Sequence, residues 1–229
     1  MPIALGLALD EADPALWLEQ ALEAEAYGCE SIWLGPGAGD DSFAVLARLA
    51  ASTARMRIGT LAHALALRHP LVSAREIAAL DRDSGGRVEI GLADAGDAAL
   101  AEAITVCKKL WSDPSVEHRG ACFAFDEIAL EPRPAQKPWP RIHLGGESDA
   151  ALNRAARMGD GWLAIGHTPA SIVARLAFLR ARRVDAETID GRFQVSARAE
   201  PHDRAELEQW RAAGVDRLIL SLTTLRRLR

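Results

Sequence analysis

Short apolar runs alternate along the chain with longer stretches in which apolar residues recur every three or four positions. The runs at Ile3–Leu9, Ser31–Leu34, Arg57–Leu61, Val88–Leu92, Ile142–Leu144, Gly161–Ile165, Phe193–Ala199 and Arg217–Leu222 predict strands. The stretches between them predict helices, beginning near Asp13, Asp41, Pro70, Asp97, Asp149, Thr168 and Asp203. Their ends carry matching signals. Asp13-Pro14 supplies an N-cap and a first-turn proline, Gly28 stops the first helix, and Ser84-Gly85-Gly86 stops the third. After Leu222 the tail has room for a turn or two of helix. The rhythm breaks once: Asp113 to Pro140 holds five prolines and a stretch, Phe123–Leu130, that predicts a small hairpin. This segment reads as an insertion before the fifth strand.

Eight strand–helix units joined by short connections predict a parallel sheet, and eight of them point to a closed (β/α)8 TIM-type barrel. An open doubly wound sheet fits the same periodicity, which does not show closure. One domain over residues 1–229 is expected, a little shorter than the roughly 250 residues usual for the barrel. Chemistry is then expected at the loops that follow the strands' C-terminal ends.

Composition narrows the function classes. Hydrophobic residues make up 49% of the chain and charged residues 26%, enough for a sizeable core. A net charge of -5 argues against a nucleic-acid or anionic-membrane surface. No run approaches the roughly 18 apolar residues of a membrane span, and the N-terminal run reads as a strand rather than a signal peptide. Cys29, Cys107 and Cys122 are scattered and odd in number, which fits a reducing cytoplasm better than a disulfide framework. No HxH or HExxH spacing is present, so no catalytic metal is expected.

The chemistry-bearing segments are few. Gly145-Gly146-Glu147-Ser148 passes from the fifth strand into a helix. Its glycines allow close backbone approach, and Ser148 sits at the N-cap, where free N–H groups attract a phosphate; an ordinary strand-to-helix turn needs the same glycines. Thr60 and His63 end the third strand and His69 precedes the next helix, either as ligand contacts or as packed residues. His143 reads as core or barrel lining, and Trp162 as packing inside the barrel. Gly159 reads as a helix-ending glycine, with Asp160-Gly161 a turn at the barrel bottom. Ser196 and Arg198 on the seventh strand can face the barrel or its mouth. No nucleophile elbow and no phosphate loop of the Walker type occurs.

The string Tyr27-Gly28-Cys29-Glu30-Ser31-Ile32-Trp33-Leu34 resembles the second strand of the luciferase-like monooxygenases, flavin- or deazaflavin-dependent oxidoreductases on a (β/α)8 barrel. Further stretches match in order: Leu46–Thr60, Arg68–Asp81 with Ser84–Gly91, Leu110-Trp111 with Phe123–Phe125 and Pro132–Pro138, Ile142–Trp162, and Gly214–Leu218. The likeness implies a flavin across the barrel mouth, its phosphate at Gly145, Gly146, Glu147 and Ser148. It also implies a non-proline cis peptide behind the ring, here matching Leu61–Ala62. The family commonly places an acid and a histidine after the second-strand tryptophan; this chain has Pro36 and Gly37. After the fourth strand, where many members carry a catalytic glutamate or a phosphate-binding arginine, it has Ala93-Asp94-Ala95-Gly96.

The first expectation from the resemblance is a monooxygenase or oxidoreductase. It would use reduced FMN, or a deazaflavin coenzyme, to activate oxygen toward a small organic substrate. His63 is its candidate polar group and His69 the next. A flavin reductase and a second copy of the chain are the partners the resemblance implies. The second expectation is a shortened, non-catalytic member that binds flavin or pairs with an active subunit. A third, an unrelated sugar-phosphate barrel, would use the Gly145–Ser148 turn for substrate.

Overall fold

A computed structural model describes residues 2–9, 13–35, 42–93, 98–184 and 193–229. Eight parallel strands close into a barrel: β1 (Ala4–Leu9), β2 (Ser31–Leu34), β3 (Arg57–His63), β4 (Val88–Leu92), β7 (Arg141–Gly145), β8 (Gly161–Ile165), β9 (Gln194–Arg198) and β10 (Arg217–Leu220). Closure is direct, since β1 pairs in register with both β10 and β2. The open-sheet alternative is therefore excluded. The helices α1 (Trp17–Ala26), α2 (Ser42–Ser52), α3 (Pro70–Asp83), α4 (Ala98–Ser112), α5 (Asp149–Met158), α6 (Ile172–Val184) and α7 (Arg204–Ala213) follow strands in turn, and α8 (Leu222–Arg227) ends the chain. Pro36 and Gly37, which stand at the positions of the family's acid and histidine, lie outside the described residues, as does Asp94-Ala95-Gly96.

The helix boundaries follow from their caps. Asp13 accepts from the Ala15 backbone N–H, Ser148 from Ala151, Asp203 from Glu206 and Ser221 from Thr224, each satisfying an otherwise open first-turn donor. Gly85 and Gly86 take φ of 70° and 82° where α3 stops. Gly159 departs from expectation. It ends α5 with extended backbone (φ -90°, ψ 154°), not the left-handed turn. Glycine is needed there for room, because a Cβ would stand 2.9 Å from the Ala155 carbonyl oxygen.

Alternation along each strand divides the core into two layers. The larger fills the space between barrel and helices and includes Ile32, Ile58, Ile90, Leu144 and Trp162. The smaller, Ala8, Trp33, Leu61, Leu163 and Ile219, fills the lumen. Trp162 thus packs outside the barrel, contrary to its expected place. Its neighbours Gly161 and Leu163 take the inward positions, because side chains alternate along a strand. His143 lies in the lumen, fully buried, edge-on to Trp33.

The insertion holds a two-stranded antiparallel hairpin, β5 (Val116–Arg119) and β6 (Ala124–Ile128). The hairpin begins before Phe123, so the stretch expected to form it supplies only its second strand. The return leg runs under the barrel: Gln136 donates to Asp81 (2.6 Å) and to the Val88 carbonyl (2.7 Å), and Asp160 accepts from Trp139 and Ile142.

Cys29 and Cys107 are buried, and burial pushes both thiols up to about 12, whereas Cys122 is exposed. A thiol reagent such as dithionitrobenzoate should therefore titrate one cysteine in the native protein at pH 8 and three in denaturant. Two fast thiols in the native state would show that one of the buried sites opens.

Candidate functional site at the barrel mouth

The mouth is built over the lumen. Ala8, Leu61, Leu163 and Ile219 form an apolar floor, all at most 7% exposed, resting on the Trp33 indole. On one side β7 delivers the turn Gly145-Gly146-Glu147-Ser148. Gly146 adopts φ of 101°, a conformation that disfavours any side chain. Ser148 caps α5 through Ala151 (3.1 Å). The capped turn and the N-terminus of a ten-residue helix give an anion a dipole and free first-turn N–H groups.

Glu147 does not crowd that position. Its Oε1 accepts from the Ile165 backbone N–H (3.1 Å), and its Oε2 lies 2.5 Å from His167 Nε2. His167 Nδ1 meets the Ser171 hydroxyl at 3.2 Å. Trp162 Nε1 donates to the Gly146 carbonyl (3.1 Å) and its ring lies edge-on to His167. The turn after β7 is thereby fastened to the loop after β8. Sequence reasoning did not single out His167. Its signal was available: Gly166-His167-Thr168-Pro169 follows the sixth barrel strand, at the mouth, and Gly166 takes φ of 78°.

The predicted histidines part company. His69 is exposed. Its Nδ1 accepts from Leu71 N–H (3.3 Å) to cap α3, and its ring packs edge-on against Phe123 and Phe125 of the hairpin. His63 ends β3 with its ring edge-on to Phe43, and its Nε2 is buried without a partner. Burial, and secondarily the charge of Arg68, push its pKa down to about 4. Thr60 turns from the mouth to donate to the Gly91 carbonyl (2.9 Å). The Leu61–Ala62 peptide is not cis; the cis bonds among the described residues are Glu131–Pro132 and Lys137–Pro138. The strand end is redirected instead by a register shift between Thr60 and His63, a bulge-type kink made by trans backbone.

Across the mouth, Ser196 is buried in the lumen and its hydroxyl lacks a partner. Arg198 pairs with Glu200, whose carboxylate also accepts from the Ser221 N–H and hydroxyl. Burial would raise the Glu200 pKa, but bonds from Thr224, Arg198 and Ser221 outweigh it and hold the carboxyl below its ordinary range. Among the described residues no three His, Cys, Asp or Glu side chains gather closely enough to hold a metal. No described helix is long and apolar enough to cross a membrane.

The His63 shift carries a sign. Its folded pKa lies below the ordinary 6.5, so the folded protein takes up that proton less readily than the unfolded chain. The associated stability is complete above pH 6.5 and is lost as pH falls toward 4. His63→Phe should flatten the melting-temperature profile in that window. An unchanged slope would show that His63 titrates normally.

A closed eight-stranded barrel with a capped glycine turn at its mouth and an apolar floor defines a (β/α)8 protein. Comparison with known proteins narrows the class. A sequence model of the luciferase-like monooxygenases matches residues 4–99 and 93–226, and the chain belongs to that family. It is 27% identical over 131 residues to an FMNH2-dependent dimethylsulfone monooxygenase of Pseudomonas putida, a match over 49% of this chain. The chain covers 36% of the length of that relative. Among solved structures it resembles the coenzyme F420-dependent tetrahydromethanopterin reductase of Methanopyrus kandleri. The TM-score is 0.85 at 16% identity, covering 99% of this chain and 97% of that one. An F420-dependent secondary alcohol dehydrogenase holding an F420–acetone adduct gives 0.83 at 16% identity, over 96% and 93%.

Proposed function

We propose that the chain is a flavin-dependent oxidoreductase, with a reduced flavin or deazaflavin seated across the mouth and a small organic substrate above it. The observation that carries this reading is the Gly145–Ser148 turn: a left-handed glycine and an open helix N-terminus beside an apolar floor. The residues present fit such a group. Gly146 and the first turn of α5 would hold its phosphate. Leu61, Ala62 and the lumen residues would support the ring, and the unpartnered His63 Nε2 offers one polar contact. When bound, the cofactor supplies the electron transfer that activates oxygen or reduces a substrate, while the protein orients it and excludes water. Family membership supports this reading, as does the FMNH2 dependence of the dimethylsulfone monooxygenase; that enzyme acts on a small molecule, and monooxygenation is the reaction we favour.

His63 is neutral at physiological pH and can donate or accept one hydrogen bond without carrying charge. His69 is assigned a weaker catalytic claim, since it caps a helix and packs on the hairpin. A homodimer, a flavin reductase as electron source and a cytoplasmic setting complete the proposal.

The test is a titration of the purified chain with FMN and with a deazaflavin coenzyme, scored by fluorescence quenching, followed by NAD(P)H-coupled turnover with a reductase. Gly146→Val should weaken binding about tenfold, since it forces a branched side chain into the left-handed region at about 1–2 kcal/mol. Saturable quenching that this variant loses supports the reading. No quenching and no thermal shift with either cofactor overturns it. One observation favours a second reading, a non-catalytic flavin-binding member: Glu147, His167, Arg198 and Glu200 are all already committed to one another or to backbone. Binding without turnover would select it.

A further inference from the structure

The opposite end of the barrel carries a second cleft, which the cofactor reading does not use. It measures about 630 Å³ and opens where β1, β3, β7, β9 and β10 begin. Arg57, Arg141, Arg180, Arg211 and Arg217 line it, against Glu30, Glu89 and Asp216. The lining therefore carries two more positive than negative charges, in a chain whose net charge is -5.

The acids are fewer than the arginines. Glu89 is a single carboxylate shared by two guanidinium groups: it lies 2.7 Å from Arg217 Nη1 and 3.2 Å from Arg57 Nε. Asp216 spends one oxygen on the Val195 backbone N–H (2.9 Å). Arg211 also meets the exposed Glu208. Arg217 is 2% exposed, yet its Nε has no partner; the Arg57 side chain is 38% exposed, but its Nη1 is buried and unpartnered. A buried guanidinium group holding back N–H donors is costly unless an acceptor arrives. Arg217, buried, and Arg57, at the cleft surface, share one carboxylate, so a net positive charge remains where the dielectric begins to fall and a counter-anion is held more strongly than in open water.

We propose that this cleft binds a doubly charged oxoanion, the phosphate group of a small phosphate ester. Arg57 and Arg217 donate from the floor, and Arg180 and Arg211 close the rim. Guanidinium forks match the spacing of phosphate oxygens. The volume exceeds that of a bare phosphate and falls in the range of small-molecule sites, so room remains for the esterified group.

The test uses inorganic phosphate on the full chain, read by thermal shift and calorimetry, with chloride at matched ionic strength. Phosphate at tenfold its dissociation constant should raise the melting temperature by about 4 °C. Arg57→Gln should abolish the shift, and Arg180→Ala, an exposed rim residue that leaves the core intact, should reduce it several-fold. Ser148→Asp keeps the helix cap at the mouth but repels an anion there, and it should leave the shift unchanged. No shift in the parent protein overturns the proposal, as does an equal shift with chloride. A shift lost in Ser148→Asp and kept in Arg180→Ala places the anion at the mouth and overturns it too. Should Arg57→Gln fail to fold, Arg180→Ala and Ser148→Asp decide the matter.

Discussion

Glu89→Ala should destabilise the protein by about 3–5 kcal/mol, because it removes the carboxylate that lies 2.7 Å from Arg217 and weakens the counter-charge of that buried guanidinium group. For a chain of 229 residues this is a fall of about 10 °C or more in melting temperature. Burial by itself would raise the Glu89 pKa. The charge of Arg217, with His143 beside it, outweighs burial and holds the carboxyl well below its ordinary 4.5. His143 Nε2 comes within 2.9 Å but is badly angled for a hydrogen bond, so Arg217 is the main partner. The sign is that of a depressed carboxylate: the pair's stability is present above pH 4.5 and is lost as pH falls below it. Thermal melts from pH 7 to pH 3 should show an acid arm that is shallower in the double variant Glu89→Ala, Arg217→Met, where the contributions of His63 and Glu200 remain. That double variant should also be more stable than Glu89→Ala alone, because it removes the orphaned charge. A loss below about 1 kcal/mol in the single variant would show that water reaches Arg217.

This pair also marks where the sequence was silent. Glu89 and Arg217 lie 128 positions apart, in two separate matched stretches, and nothing in either stretch pairs them. Only closure of the barrel brings the first residue of β10 beside the second of β4. The strands themselves were legible, since apolar runs three to seven residues long bounded by turn residues have one economical explanation. Their number implied closure without showing it. The inward or outward sense of Trp162 was not legible, because a strand buried on both faces is apolar throughout and its phase is hidden. The mouth was legible in part. The Gly145–Ser148 turn announces itself by its glycines and its capping serine, but the Glu147–His167 pair is a contact across 20 residues that depends on how two loops meet. His69 shows how a local contact hides in the sequence. A histidine before a proline looks like chemistry in a string of letters, and folding spends it on a helix cap.

Trp33→Ala is expected to cost about 3–5 kcal/mol, because the indole is the largest object in the lumen and the strands around it are shaped to its size. A Cβ at Gly6 would stand 3.2 Å from its Cδ1, and one at Gly59 would stand 2.9 Å from its Cζ3. Its Nε1 donates to the Ser31 hydroxyl at 2.9 Å, and Arg217 stacks 5.3 Å from its ring. Truncation therefore opens a cavity under Leu61, Leu163 and Ile219, the floor of the mouth. Flavin affinity should fall along with stability, although no charged group has changed. Gly6→Ala supplies the internal control. In the parent protein the nearest atoms to its methyl group belong to the Ser31 and Trp33 side chains, so it should destabilise; in Trp33→Ala the indole is gone, and the same change should cost less or restore stability. Strictly additive melting-temperature shifts in this pair would mean that the lumen relaxes around the lost indole and that Trp33 does not support the floor.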